Sequence, residues 1–339
     1  MDTPVPDSGS SPQLSILVIG YQMAEQLANT IKSLSHDYQI GVHATDYEVV
    51  VIENRSEDML SQKLVESLPT NIRYYQRDND SSSPVAALAE GLELCRGHQL
   101  GVIIDGAQLV TPGVIRFAKM AFKYADDPLI AVPGYHLGHK MQHEVEDAGE
   151  LLTAQREFLE SINWTESDNG YRLFNWACFS PANRNGFLHP LMESNVFFCL
   201  KQSFIDIDGA NARFQLPGGG AINLHILRKL GMSATRPLIL LAGEGTFHQY
   251  HGGVTTANPA EYEARVNTFN EQLQEIWDMN FKALRREPVI LGQFPEPVHA
   301  HLQASCTTAQ RRFQRLREGN TPLWEDDFNL SLAAKGVVK

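Results

Sequence analysis

Cysteine is scarce in this chain. Cys95, Cys178, Cys199 and Cys306 are the only four in 339 residues, and no two form a CxxC pair. That spacing suggests neither a zinc knuckle nor a disulfide framework, and a reducing compartment is the simpler reading. Long apolar runs are missing too. None reaches the roughly 18 residues that span a bilayer, and the opening MDTPVPDSGSSPQ lacks the apolar core of a signal peptide. The sequence therefore reads as a soluble, cytoplasmic protein with a flexible tail over 1–13 and no transmembrane segment. Positive charge is short as well: 28 Lys and Arg against 40 Asp and Glu leave a formal net charge of −12. Surfaces that grip phosphate backbones need clustered Lys and Arg, so a general nucleic-acid or acidic-membrane surface is excluded, though a local basic pocket is not. No internal repeat is present, and nothing in the chain speaks to oligomeric state.

What is present is a rhythm. Leu14 to Ile19 is a β-branched apolar run that Gly20 breaks, and Met23, Leu27, Ile31 and Leu34 follow at helical spacing. Glu48 to Ile52 predicts a second buried strand. Ser56 is then expected to cap a helix carrying Leu60, Leu64 and Leu68, with Glu57 and Asp58 in its first turn. Ile72 to Gln76 predicts a third strand, Ser83-Pro84 a helix start, and Leu100 to Ile104 a fourth strand ending at Asp105. Thr111-Pro112 opens another helix, and Leu129 to Val132 forms another strand. Continuous apolar strands alternating with helices imply a mostly parallel sheet covered on both faces.

The rhythm fails over 134–192, which holds His136, His139, His143, Trp164, Trp176 and the loop SPANRNG. An insertion on one side of a cleft is expected there, with the three histidines solvated. A strand from Ser194 to Leu200, a helix after Gly218-Gly219-Gly220, and a strand from Leu238 to Leu241 resume the sheet. A long helix opening at Asn258-Pro259 is expected to carry Tyr262, Val266, Phe269, Leu273, Ile276 and Leu284 on one face, within a C-terminal helical extension over 256–339.

Ligands of such sheets sit beyond the carboxyl ends of the strands. Gly20-Tyr21, Glu53-Asn54 and Asp105 all occupy such ends. Their order resembles that of family-2 glycosyltransferases with a GT-A fold, over roughly residues 14–255. The resemblance rests on Ile19-Gly20-Tyr21 after the first strand, on Glu53-Asn54-Arg55-Ser56-Glu57-Asp58 where the family has Asp-Asn-x-Ser-x-Asp, and on Asp105-Gly106-Ala107 at the family's DxD position. It implies a GT-A nucleotide-diphospho-sugar transferase fold and a nucleotide-sugar donor held by Ile19, Gly20, Tyr21, Glu53, Asn54, Ser56, Asp105, Gly106 and Ala107. The acceptor would be a saccharide or other hydroxyl compound, as in bacterial-type polysaccharide or glycoconjugate synthesis, and the insertion would form its wall.

The departures from the family bear on chemistry. Ala107 stands where the second DxD carboxylate belongs, Leu88-Ala89 replaces an Arg-Asn pair, and the later Glu-Asp pair falls in GGGAIN, which has no carboxylate. His248 and His251, set among glycines in GEGTFHQYHGG, are expected to compensate by joining Asp105 around Mn2+ or Mg2+, since imidazole and carboxylate together suit such ions. The alternative for these histidines is direct contact with the diphosphate. An inverting transfer also needs a base for the acceptor hydroxyl. Glu193, just before a core strand, is the first choice, with Asp206, Asp208, Glu244 and His225 as rivals. Two further readings stay open: a catalytically degenerate GT-A domain that binds nucleotide sugar or a partner protein, and a nucleotidyltransferase, which would want a basic glycine-rich loop that Gly20-Tyr21-Gln22-Met23 does not supply.

Overall fold

The computed structural model describes residues 12–252, 262–278, 281, 284, 286 and 288–318. Its β-branched runs form the expected strands. β1 (Leu14–Gly20) pairs in parallel with β2 (Tyr47–Asn54) and β4 (Gln99–Ile103), and β2 pairs in parallel with β3 (Ile72–Arg77). β6 (Leu129–Ala131) and β10 (Leu238–Leu241) extend the sheet, and β9 (Val196–Leu200) runs antiparallel between β4 and β6. With β12 (Val289–Leu291) at one edge, the sheet has eight strands in the order β12-β10-β6-β9-β4-β1-β2-β3.

Strand alternation divides the core between the two faces. Leu17, Ile19, Val50 and Ile52 point to one side, where α3 (Val85–Leu94) and α7 (Ile222–Gly231) cover them. Ile16, Val18, Val49 and Val51 point to the other, beneath α1 (Ala24–Ser33) and α4 (Val114–Tyr124). A sheet with both faces buried must read as unbroken apolar runs, which is why the strands were legible. This is the α/β architecture expected, a mostly parallel central sheet with helices on both faces.

The second helix is shorter than expected. α2 spans only Gln62–Glu66, and Ser61 caps it by accepting from the Leu64 amide at 3.3 Å. Ser56 instead accepts from the Gln22 amide at 3.2 Å and donates to the Asp58 carbonyl at 2.9 Å, tying the loop after β2 to the loop after β1. The irregular stretch contains structure of its own: β7 (Gly134–Leu137), β8 (Ala177–Phe179) and α5 (Ala148–Ile162). With β5 (Gln108–Val110) and β11 (Thr246–His248) the two strands build a second sheet, ordered β5-β11-β7-β8. Behind it lies a cluster in which Tyr135 stacks on Phe179 and Phe247 at centroid separations of 4.9 and 5.3 Å. Trp164 belongs to this cluster, edge-on to Tyr38, and so serves packing.

The C-terminal part also departs from expectation. Asn258-Pro259 lie outside the described residues. α8 runs from Tyr262 to Trp277, so Leu284 is packed beyond its end. β12 (Val289–Leu291) then adds a strand to the main sheet beside β10, and α9 (His299–Arg317) follows. The extension is thus stitched into the sheet as well as being helical. Among the described residues, no helix is long and apolar enough to cross a membrane.

Candidate functional site

A cleft of about 760 Å³ opens at the carboxyl ends of the parallel strands. Ile19, Gly20 and Tyr21 line it from the end of β1, Asn54 from β2, and Asp105 from just beyond β4. Glu193 and Asn195 line it from the segment entering β9, Asn223 from the start of α7, and Val266 and Phe269 from α8. A Cβ at Gly20 would meet Leu27 Cδ2 at 2.5 Å, so a larger residue there requires the Leu27 side chain to shift.

Four expected contacts face elsewhere. Glu53 is fully buried and does not line the cleft. Its carboxylate accepts from the Tyr74 hydroxyl at 2.6 Å and from the Leu60 amide, and burial raises its pKa. It holds the loop after β2 and is not at hand for a nucleotide. Ser56 serves the same loops, as described above. Gly106 and Ala107 lie behind the cleft. The Gly106 carbonyl accepts from Thr30 at 2.6 Å, and Ala107, with no exposed surface, belongs to the core cluster on the α1 face. The second DxD position therefore points into the core, so the missing carboxylate there could not have reached a ligand in the cleft. Asn54 does face the cleft, held by Arg77, which donates to its Oδ1 at 2.7 Å.

The carboxylate that remains has two imidazoles beside it. His248 Nε2 lies 2.9 Å from Asp105 Oδ2, and His251 Nε2 lies 3.6 Å from Oδ1. Burial alone would raise the Asp105 carboxyl, but the two imidazoles hold it well below the ordinary carboxylate value. For His251 burial works downward and the Asp105 carboxylate works upward, and the result is a raised pKa. The Gln142 amide donates to the His248 carbonyl at 2.8 Å, which leaves its Oε1 to accept from His248 Nδ1 at 2.6 Å. With a proton on Nδ1, the neutral ring would offer its Nε2 lone pair to a cation held between it and Asp105.

The residues present fit a divalent ion. Their ligand atoms all lie within 4.8 Å of one another. Nitrogen and oxygen ligands stand about 2.0–2.2 Å from an ion such as zinc, so two of them on one ion are about 3 Å apart. His251 Nε2 is buried without a hydrogen-bond partner, an uncommon state that a bound cation would relieve. A mixed nitrogen and oxygen donor set suits Mn2+ among others.

Two histidines expected to be solvated are not. His136 on β7 pairs in register with His248 on β11 and is 7 % exposed; its Nδ1 accepts from the Gln142 amide at 2.9 Å, and burial drives its pKa well down. The alternation Gly-Tyr-His-Leu, with Tyr135 and Leu137 on the opposite face, was the signal for this strand. His143 lines the cleft, half-buried, while His139 alone is exposed, edge-on to Trp176.

Of the candidate bases, Glu193 lines the cleft, and desolvation pushes its carboxyl up to about 7. Glu244 is raised to about 7 as well, also by burial, but it is sealed off, accepting from Thr111 and from Tyr171. Asp206 accepts from Gln202 on an exposed helix, Asp208 sits in a turn at φ +55°, and His225 packs between Phe214 and Trp277. None of these four lines the cleft.

No protein-family model matches the chain, and no curated protein matches it. Solved structures do. The S. aureus TarS fragment 1-349 in complex with UDP-GlcNAc aligns at a TM-score of 0.48 and 14% identity, over 89% of this chain and 73% of that one. The mannosyltransferase PcManGT from Pyrobaculum calidifontis, in complex with GDP-Man and Mn2+, aligns at 0.47 and 14% identity, over 98% of this chain and 81% of that one. A fold hosts many reactions, so the chemistry has to be read from this chain's own side chains.

Proposed function

We propose that the protein is a GT-A-type glycosyltransferase, related to family 2, that moves a sugar from a nucleoside-diphosphate donor to a hydroxyl acceptor. The observation that carries this reading is the Asp105, His248 and His251 cluster at the carboxyl end of β4, with the raised carboxyl of Glu193 in the same cleft. A divalent ion held by Asp105, His248 and His251 would supply Lewis acidity for the charge that builds on the departing diphosphate. Ile19, Gly20, Tyr21 and Asn54 bind the nucleotide at the strand ends. Glu193 takes the proton from the acceptor hydroxyl as its oxygen attacks the anomeric carbon. A base with a pKa near the working pH is well matched to that step. The apolar wall of Val266 and Phe269 excludes water beside it.

A second reading, a domain that binds nucleotide sugar or a partner protein without transfer, draws on the inward-facing Ala107 and the carboxylate-free GGGAIN segment. Glu193 favours the first, because a binding module has no need of a desolvated carboxylate in its cleft. The test is a thermal-shift screen of nucleoside diphosphates and nucleotide sugars with Mn2+ and with EDTA, followed by an assay of nucleotide release from any donor that binds. Ligands that bind only the folded state raise the melting temperature by mass action. Stabilisation by a nucleotide, abolished by EDTA, and turnover of its sugar are expected. If no nucleotide stabilises the protein, the proposal fails; stabilisation without turnover across an acceptor panel supports the second reading.

A further inference from the structure

Among the described residues, Arg184 is the only Arg or Lys that lines the cleft. Its side chain is exposed, and among the described residues no hydrogen bond or ion pair engages its guanidinium. Several other arginines are paired with carboxylates. Arg73 pairs with Glu48, Arg77 with Glu90, Arg156 with Glu25 and Arg236 with Asp127. In a chain with a formal net charge of −12, Arg184 places a cation at the cleft.

The backbone beneath Arg184 is held from two sides. Asn183 Oδ1 accepts from the Gly134 amide of β7 at 2.6 Å, and the Asn183 carbonyl accepts from the Gly186 amide at 2.7 Å. Gly186 has a φ of +82°, and a Cβ there would meet Ser305 Oγ of α9 at 2.3 Å. The same Ser305 hydroxyl accepts from the Phe187 amide at 3.2 Å. The loop then folds back, with the Met192 amide donating to the Ala182 carbonyl at 3.3 Å, so that Glu193 and Arg184 share one wall. In the same cleft Ser180 is buried to 4 % exposure and has an Oγ with no partner. Arg184 is not there to hold Glu193, whose carboxyl is shifted by desolvation with no contribution from a cation.

We propose that Arg184 receives an anionic group on the acceptor, and therefore that the acceptor is a hydroxyl compound bearing a phosphate or carboxylate. The inference rests on the reading that the wall carrying Glu193 is the acceptor side. The planar guanidinium fork matches both oxyanions and serves best where bidentate recognition is wanted, whereas an uncharged sugar alcohol gives it nothing to pair with. The unpartnered Ser180 hydroxyl supplies a neutral donor in the same cleft. The strand-end group of Asp105, His248 and His251 serves a different anion, the donor's diphosphate.

The test uses the full chain and two measurements. UDP and GDP are titrated calorimetrically with Mn2+, which reads the donor site. Glycerol 3-phosphate, glycerate and glycerol are then titrated with and without saturating nucleotide, which reads Arg184. At least one of the two anions should bind about tenfold or more tightly than glycerol, as loss of one charge-assisted pair would suggest, and should still bind when nucleotide is present. Arg184→Gln should erase that preference, Arg184→Lys should keep part of it, and both should leave nucleotide affinity unchanged. Equal binding of glycerol and the anions overturns the proposal. So does a comparable loss of nucleotide affinity in Arg184→Gln, which would assign the guanidinium to the donor. If no nucleotide binds but the anion preference persists and depends on Arg184, the donor reading fails and the oxyanion site stands. Comparison of the phosphate arm with the carboxylate arm tells which group the acceptor carries.

Discussion

Gln142 grips His248 at two points, donating to its carbonyl at 2.8 Å and accepting from its Nδ1 at 2.6 Å. One amide thereby sets both the backbone position and the ring tautomer of a candidate metal ligand. The amide's own backbone N–H goes to His136 Nδ1 at 2.9 Å, so the two imidazoles on neighbouring strands are linked through a single residue.

Groups that orient a metal-bound imidazole commonly contribute about 10–100-fold to metal affinity. Gln142→Ala is therefore expected to weaken Mn2+ binding by that factor in the presence of a nucleoside diphosphate, and Asp105→Asn, which removes a candidate ligand itself, is expected to weaken it more. Titration followed by the Mn2+ resonance signal checks it. Undiminished affinity in a folded Gln142→Ala protein would detach Gln142 from the site.

The Ala107 position yields a second expectation. Placing a carboxylate at this position with Ala107→Asp would not add a metal ligand, because residue 107 has no exposed surface and packs into the core on the α1 face. Burying an unpaired carboxylate costs several kcal/mol. Loss of about 3 kcal/mol or more of stability in urea unfolding is expected, with no gain in Mn2+ affinity. Tighter metal binding in this variant would mean that the loop after β4 turns outward in the working protein.

The strands were readable from the chain because each is apolar on both faces, and runs such as EVVVI admit few other interpretations. The strand-end positions of Gly20, Asn54 and Asp105 followed from that reading. What escaped it depended on direction. Glu53 and Ala107 sit at strand ends, but one turns toward Tyr74 and the other into the core, and a residue's identity does not say which way its side chain leaves the backbone. His136 was misjudged because β7 is only four residues long and its partner β11 lies far along the chain. Gln142 and Arg184 carry no motif; their roles come from contacts across more than a hundred residues, or from the lack of a partner. β12 was missed since a three-residue edge strand leaves too short a pattern.

Glu244 makes stability depend on pH. Its folded pKa of about 7 stands above the ordinary carboxyl value of 4.5, because burial outweighs the Thr111 and Tyr171 hydrogen bonds. A group raised in this way favours the fold below its unfolded pKa, and that contribution is lost as pH rises through about 7. Stability should fall between pH 5 and 8 by roughly 1–3 kcal/mol from this residue. Glu244→Gln, which keeps the shape without the charge, should flatten that part of the melting-temperature profile. An unaltered slope would show that Glu244 does not titrate in this range.

Glu193 makes activity depend on pH in the opposite sense. As a base it works only when ionised, and with a pKa of about 7 its active fraction grows as pH rises through that value. Turnover should therefore show an acid limb centred near 7, measured at saturating donor and acceptor. Glu193→Gln should bind donor as the parent does, lose about 10²–10⁴-fold in kcat, and lose the acid limb from whatever rate is left. Glu244 provides the control, since it shares the shifted pKa but is sealed behind Thr111 and Tyr171. Glu244→Gln should alter the melting profile and keep the acid limb. The two carboxyls are alike in their titration and differ in access, so the pair of variants separates chemistry from stability. If Glu193→Gln keeps both its rate and its acid limb, the proton leaves by another route, through His136 or His143 on the cleft wall. If Glu244→Gln removes the limb instead, the buried network reaches the reaction and Glu193 does not.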